Sequence, residues 1–332
     1  MIRDAIREFY EYYYSSIDFK KWRDEFAREI YACLNSNIGL GEVKTVTDLC
    51  DVMTSKQYRG LRIESKKTHS RSTSGVKFNY IDKETVTELA DMVIVSIITF
   101  NREIVLLKTA FIQNKKATPN NKISNSWGID QKQLFLLKNF PTFVGVSGIF
   151  NNNVITFLNH SGTLGNYGLF SLHGDLIFLT ARNTFCNQNA NGNISFDNIR
   201  NAASASMTSL NYYHSYNFCH RCYPNCFDGH KDYFMPLSQL NYMPFFNNYS
   251  YSLDVHEIIK DLTYFNIGEP SSISGRITDY NLYNFTSNLL CSAFGYIIGE
   301  NYFNYDGGNT NNIWEGGINV ILNHLELNKQ YG

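Results

Sequence analysis

The chain has 332 residues with 29 Lys or Arg, 30 Asp or Glu and a formal net charge of −1, and 43% of its residues are hydrophobic. This composition excludes a disordered chain, a collagen and a coiled coil, and the length allows one large domain or two ordinary ones. The longest apolar run, Met92 to Phe100, is too short to span a bilayer, and the N-terminal segment is charged where a signal peptide is apolar. We therefore expect a cytoplasmic protein without a membrane partner.

The charge is distributed unevenly between the two halves of the chain. Residues 1–150 hold 22 basic and 17 acidic residues, a net charge of +5, whereas residues 151–332 hold 7 and 13, a net charge of −6. A basic half is a candidate surface for a polyanion such as nucleic acid. We predict one α/β core domain over 1–150, and a second mixed α/β region with C-terminal helices over 151–332 that serves recognition or homodimerisation.

Apolar periodicity predicts the elements in chain order. The first segment has helical spacing, and Ser16 or Asp18 is placed to cap a second helix. Residues 36–50 break that pattern, residues 54–80 are polar and basic, and a short helix is predicted from Lys83 to Leu89. A buried antiparallel hairpin follows over 90–116 with a turn at 101–103, then a helix over 129–140, strands from 143, and two closing helices around 282–297 and 318–325.

Polar side chains gather at the open end of the predicted hairpin. Asp91 begins the first strand, and Gln113 and Lys115 end the second. If Phe100 pairs with Ile104 across a three-residue turn, Asp91 falls opposite Gln113, and Lys115 lies two residues on, on the same face. A carboxylate, an amide oxygen and an ammonium therefore converge.

This set of groups is suited to metal-assisted hydrolysis of a phosphodiester. Asp91 and the Gln113 side-chain oxygen are hard ligands of the kind that Mg²⁺ or Mn²⁺ prefers. The metal would polarise the phosphate and lower the pKa of a bound water. Lys115 would orient that water or stabilise the charge that develops on the phosphate.

Asp91 followed by Gln113-Asn114-Lys115 at the end of the next strand resembles the PD-(D/E)xK, restriction-endonuclease-like nuclease superfamily, in its Q-x-K variant. The resemblance covers roughly residues 20–145 and implies that the first domain, over 1–150, is a nuclease-like core. It implies a mixed sheet flanked by helices, in which a helix follows the motif. A residue of that helix, Gln131 or Gln133, could face the site. The resemblance also implies a Glu from a preceding helix, for which Glu29 is favoured and Glu88 is the alternative.

A basic stretch precedes the hairpin and could contact phosphates through charge and hydroxyl donors. The residues predicted to bind nucleic acid are Lys56, Arg59, Arg62, Lys66, Lys67, Arg71, Lys77 and Lys116. A solvated surface loop is the alternative interpretation of this stretch.

A cysteine cluster lies in the Asn-rich second half. Cys219, Cys222, Cys226 and His230 follow the spacing C-x2-C-x3-C-x3-H, and four soft ligands could close a structural Zn²⁺ site. Free thiols in a reducing compartment are the alternative, and the odd total of seven cysteines is typical of such a compartment.

These observations together predict a Mg²⁺-dependent deoxyribonuclease with DNA as its partner, RNA not being excluded. The resemblance implies a role in restriction or antiviral defence. The alternative is a non-catalytic nucleic-acid-binding or signal-sensing protein on a degenerate nuclease fold, since Gln113 replaces an acidic ligand. A third hypothesis is an interaction protein that binds no nucleic acid.

Overall fold

The computed structural model describes residues 2–68, 74–120, 124–147, 150–158, 162–184, 192–195, 199, 251–299, 303–305 and 317–327. Its α-helices are α1 (Ile2–Phe9), α2 (Ile17–Ser36), α3 (Glu42–Met53), α4 (Gln131–Asn139), α5 (Val255–Thr263) and α6 (Tyr280–Phe294). A π-helical turn spans Tyr10–Tyr14 and a 3₁₀ turn spans Ala181–Asn183.

The strands are β1 (Lys56–Tyr58), β2 (Leu61–Lys66), β3 (Gly75–Tyr80), β4 (Lys83–Glu88), β5 (Met92–Phe100), β6 (Glu103–Lys116), β7 (Thr118–Asn120), β8 (Ser124–Gly128), β9 (Phe143–Gly145), β10 (Val154–Ile155), β11 (Gly165–Phe170), β12 (Leu176–Thr180), β13 (Asn193–Ser195), β14 (Tyr251–Ser252), β15 (Glu269–Ile273), β16 (Arg276–Ile277), β17 (Tyr296–Ile298), β18 (Phe303–Tyr305) and β19 (Asn319–Leu327).

The principal sheet is mixed and has ten strands. Eight follow the order β1-β2-β19-β5-β6-β11-β12-β14, and β15 with its partner β16 joins through the first half of β6. β5 and β6 are antiparallel, whereas β19 runs parallel to β5 and β11 runs parallel to β6. Strands from both sides of residue 150 pair directly, so the predicted boundary at 150 does not divide this sheet. Three smaller sheets have the orders β10-β9-β3-β4, β13-β8-β7 and β17-β18.

Helices cover both faces of the principal sheet, which explains why the central hairpin is apolar on both sides. Met92, Ile94 and Ile112 pack against α2, α3 and α5, whereas the alternating residues Val93 and Phe111 pack against α4 and α6. The predicted mixed α/β class and the helix after the hairpin are confirmed. Within the ranges described, no helix has the length and apolar character needed to cross a membrane.

Local structure differs from the sequence-based interpretation in four segments, for physical reasons. Residues 83–88 form β4, because each of them pairs with a residue of β3 in an antiparallel hairpin. The segment around 318–325 is β19, because a β-branched apolar run is buried between β2 and β5. Residues 36–50 contain the start of α3, whose Val46, Leu49, Cys50 and Met53 form one buried face. The basic residues 54–80 supply β1, β2 and β3 rather than one loop.

A buried polar row fixes the C-terminal end of α5 on the sheet. Asn323 on β19 pairs with Ser96 on β5, which pairs with Lys108 on β6. The Asn323 Nδ2 donates to the Leu262 carbonyl at 2.7 Å, and the Lys108 Nζ donates to the Phe265 carbonyl at 2.9 Å. A cation near the C-terminal end of a helix is stabilised by the helix dipole.

The buried ammonium of Lys108 predicts a pH dependence of stability. Burial lowers the pKa of Lys108 to about 8, although Glu269 and Asp261 oppose the shift. The unfolded chain therefore holds this proton more tightly, and stability should rise as the pH increases from about 8 to about 10.5, by up to roughly 3 kcal/mol. In urea unfolding at several pH values, Lys108→Met should lose this rise and Lys21→Met, on the exposed side of α2, should keep it. Equal pH profiles for wild type and Lys108→Met would contradict the prediction.

Candidate functional site

The structure brings Asp91 and Gln113 together at the end of the β5–β6 hairpin. Met92 pairs with Ile112, and the Asp91 amide donates to the Ile112 carbonyl at 3.1 Å, so Asp91 is in register beside Gln113. The Gln113 Nε2 and the backbone amide of Asn114 each donate to the Asp91 Oδ2 at 2.6 Å. One carboxylate oxygen is therefore fixed by two donors of the neighbouring strand.

The backbone of Asp91 is fixed from its other side by β19. The Asn319 backbone amide and its Nδ2 donate to the Asp91 carbonyl at 3.1 and 2.9 Å. The candidate catalytic carboxylate consequently lies between two central strands, and its main chain is held on both edges.

The helix after the hairpin contributes a second amide. Asp130 caps α4 by accepting from the backbone amides of Lys132 and Gln133. The buried Gln133 side chain donates through Nε2 to the Gln113 Oε1 at 2.5 Å and to the Glu88 carbonyl at 3.4 Å. Of the two glutamines considered from the sequence, Gln133 faces the site and Gln131 is exposed.

A glutamate that the sequence analysis missed completes the site. Glu42 is the first residue of α3, and its Oε1 lies 3.8 Å from the Lys115 Nζ. Its Oε2 accepts from the Lys116 backbone amide at 3.0 Å. Two carboxylates and one ammonium, from Glu42, Asp91 and Lys115, are thus gathered where β6 ends.

Burial and like charges perturb the acids of this site. Burial raises the pKa of Asp91 to about 6; the bonds from Asn114 and Gln113 and the charge of Lys115 oppose this, and Glu42 adds to it. Burial also raises the pKa of Glu88 to about 7, with repulsion from Asp91 and Glu42 adding to the effect and Lys115 opposing it. Both acids are therefore protonated more easily than in water, chiefly because they are buried.

The structure does not bring Glu29, the favoured helical glutamate, to the hairpin. Glu29 forms an ion pair with Lys56 and lines a cleft of about 460 Å³ between α2 and α3. Glu88, the alternative, lies at the end of β4 near Asp91. The signal for Glu42 was the apolar spacing of Val46, Leu49, Cys50 and Met53, which predicts a helix with an acid in its first turn.

The residues predicted to bind nucleic acid do not form one patch. Lys66, the last residue of β2, pairs with Val320 at the same end of the sheet as Asp91. Arg59 lies in the β1–β2 turn at the opposite end, beside the rings of Tyr12 and Tyr58. These two ends of the sheet are roughly 25 Å apart at 3.3 Å per residue.

Several of these basic side chains have partners within the protein. Lys56 pairs with Glu29, Lys67 with Asp51 at 2.5 Å, and Lys77 with Glu84 at 3.1 Å. The Arg62 Nη2 lies 3.5 Å from the His324 Nδ1. Lys116 donates to backbone carbonyls, and burial lowers its pKa.

The predicted zinc ligands Cys219, Cys222, Cys226 and His230 lie outside the described residues, as does Arg71. Among the residues that the structure does describe, no group of three or more His, Cys, Asp or Glu side chains is arranged to hold a metal ion.

We compared the chain with protein-family models, with curated proteins and with solved structures, and found no match in any of the three comparisons. The function proposed for this chain therefore rests on the geometry of the site at the end of the β5–β6 hairpin.

Proposed function

We propose that this chain is a metal-dependent nuclease of restriction-endonuclease-like architecture that hydrolyses phosphodiester bonds of DNA. The observation that carries the proposal is the convergence of Asp91, Gln113 and Lys115 at one end of a buried hairpin, where Glu42 meets Lys115. The crossover from β6 through α4 to the parallel strand β11 supports the architecture. A role in restriction or antiviral defence remains an expectation from the resemblance.

The residues of the site fit a hard divalent cation. Asp91 and Glu88 offer carboxylate oxygens, and their raised pKa values reflect burial and negative charge that a cation would neutralise. These two residues would hold Mg²⁺ or Mn²⁺, with Glu42 beside them. A bound metal would supply Lewis-acid polarisation of the phosphate and a more acidic water.

The remaining residues of the site would hold its charged and polar groups in fixed positions. Lys115 is directed by Glu42 toward the end of the hairpin, where its ammonium would stabilise charge on a phosphate oxygen. Gln133 fixes the amide of Gln113, which in turn fixes Asp91. One oxygen of Asp91 is thereby held, and the other would be left to bind the cation.

A specific observation also favours the second candidate, a nucleic-acid-binding sensor without catalysis. Both ends of the Gln113 amide are engaged, the nitrogen by Asp91 and the oxygen by Gln133. In that arrangement Gln133 already uses one of the two lone pairs of the Gln113 oxygen, which weakens Gln113 as a metal ligand and leaves Lys115 as the main group for a phosphate.

Cleavage of supercoiled plasmid, single-stranded DNA and RNA with Mg²⁺, Mn²⁺ or EDTA separates the two functions. We expect the wild type to cut DNA with either metal and not in EDTA. Lys115→Met should slow cutting by about 10²–10³-fold, the range for removing one group that stabilises transition-state charge. Lys21→Met, an exposed lysine of α2, is the matched control and should cut like wild type. Salt-dependent DNA binding without cutting would favour the sensor. A protein that neither binds nor cuts nucleic acid would exclude both functions.

A further inference from the structure

The side chains of Lys115 and Lys116, the last two residues of β6, leave the strand on opposite faces, because successive residues of a strand alternate. The Lys115 Nζ lies 3.8 Å from Glu42 in the candidate site. The Lys116 Nζ instead donates to the carbonyls of Asn37 at 2.8 Å and Leu40 at 2.5 Å. Both carbonyls belong to the loop of residues 37–41 that joins α2 to α3, which we call the α2–α3 loop.

Lys116 therefore fastens this loop at both of its ends. Asn37 is the C-cap of α2, where backbone carbonyls lack helical partners and a cation is favourable. At the other end the N-cap of α3 is Gly41, which has no side chain to cap the helix. Glu42 directs its carboxylate elsewhere, since its Oε2 accepts from the Lys116 backbone amide at 3.0 Å.

Apolar packing does little to hold the α2–α3 loop. Ile38 and Leu40 are 51% and 44% exposed, and Gly39 takes a φ of +87°. Asn37 is buried, and its Nδ2 donates to the Cys33 carbonyl of α2 at 2.9 Å, which holds the first residue of the loop. The bonds from Lys116 are the ones that tie the loop to β6, and because Glu42 directly follows the loop, they also bear on where its carboxylate lies relative to Lys115.

We propose that Lys116 is a positioning residue that holds the α2–α3 loop so that Glu42 meets Lys115, and that it does not contact nucleic acid. The proposal rests on the proposed nuclease function for its kinetic consequence. It differs from the sequence-based prediction, which placed Lys116 among the phosphate contacts. Two of the three ammonium donors of Lys116 are already bound to carbonyls, so little remains for a phosphate.

The test compares Lys116→Met, which keeps the aliphatic chain, with Lys116→Arg, which restores donors. Amide hydrogen exchange of Leu40 and Thr45, whose amides bind the carbonyls of Asn37 and Gly41, reports on the loop without any substrate. Lys116→Met should exchange at least about tenfold faster at these amides, and Lys116→Arg should exchange more like wild type. Lys21→Met, which loses only an exposed ion pair with Asp18 near the start of α2, is the matched control and should leave exchange in the loop unchanged.

Nucleic-acid binding and turnover then separate positioning from phosphate contact. In EDTA, Lys116→Met should keep the wild-type dependence of DNA affinity on salt, whereas Lys115→Met should lower the slope by about one. With metal, Lys116→Met should lower kcat by about 10–100-fold at unchanged KM, as for other residues that orient a reactive group, and Lys116→Arg should recover much of it.

Each outcome separates this proposal from the nuclease function. If the dependence of DNA affinity on salt has a slope lowered by about one in Lys116→Met, this lysine contacts a phosphate and the proposal is wrong. Unchanged hydrogen exchange at Leu40 and Thr45 in this variant would also overturn it. A wild type that binds no nucleic acid would instead overturn the nuclease function. In that case the exchange measurement would still decide whether Lys116 holds the loop.

Discussion

Asp91→Asn is expected to abolish metal-dependent cleavage and to leave the protein at least as stable as wild type. Asparagine keeps an oxygen that can accept from Gln113 and Asn114, as Asp91 does at 2.6 Å. It removes a carboxylate whose pKa burial raises to about 6, so no buried charge has to be maintained at neutral pH. Loss of metal polarisation worth several kcal/mol corresponds to a rate loss of roughly 10³-fold or more.

The measurement is the rate of plasmid cleavage in Mg²⁺ together with thermal unfolding of the same samples. Asp82→Asn is the matched control, because Asp82 is exposed in the β3–β4 turn with a φ of 60°, which asparagine accepts. This variant should cut like wild type. Cleavage that survives in Asp91→Asn would place the active site elsewhere in the chain.

Gly165→Ala is expected to destabilise the fold by about 3 kcal/mol, the upper end for inserting a carbon into a packed interior. A Cβ at Gly165, the first residue of β11, would lie 2.8 Å from the carbonyl carbon of Leu137 on α4. Such a contact requires the backbone of α4 to move away from the sheet. The displacement should also break the bond between Gln133 and Gln113, so cleavage should fall along with stability.

Urea unfolding measures the change in the free energy of unfolding, and Gly128→Ala is the control. A Cβ at Gly128 of β8 would meet only Asn193 at 3.8 Å, an ordinary contact, so this variant should stay near wild type. A Gly165→Ala protein as stable as the control would mean that α4 packs less closely on β11 than the structure shows.

The position of Asp91 beside Gln113 could be predicted from the sequence, but the turn that was used to predict it is wrong. The turn contains two residues, Asn101 and Arg102, with φ values of 53° and 67°, and Phe100 pairs with Glu103. The register shifts between Ile98 and Thr99, which restores the predicted pairing for the rest of the hairpin. A bulge leaves little trace in an apolar run, so the sequence could not reveal this compensation.

Glu42 was harder to predict than Asp91 because tertiary structure, not local sequence, brings it to the site. The hairpin joins Asp91 and Gln113 through pairing that alternation and strand length already suggest. Glu42 reaches Lys115 through the packing of α3 on the sheet and the bonds from Lys116 to the α2–α3 loop, which join residues far apart in sequence. Glu29, by contrast, lies at the edge of an apolar helical face and yet pairs with Lys56.

The misassigned strand β19 shows a second limit of periodicity. Ile318, Ile321, Leu322 and Leu325 have helical spacing, but in the structure the last three are buried in a strand that is covered on both faces, and Ile318 is buried just before it. A short segment rich in apolar residues is compatible with the period of a helix or of a strand. Its pairing with β2 and β5 decides between the two structures.

The place of β19 also has a consequence for biosynthesis. β19 fills the gap between β2 and β5, and its pairs, Asn319 with Met92 and Val320 with Lys66, join residues more than 200 positions apart. At synthesis rates of about 5–20 residues per second, β2 and β5 would wait roughly 10–50 seconds for their shared partner. During that interval each strand has an edge without its final partner, which is a template for pairing with other chains. The Asn319 bonds to the Asp91 carbonyl are also missing until then, so the backbone of the candidate site is held on both edges only once the sheet is complete.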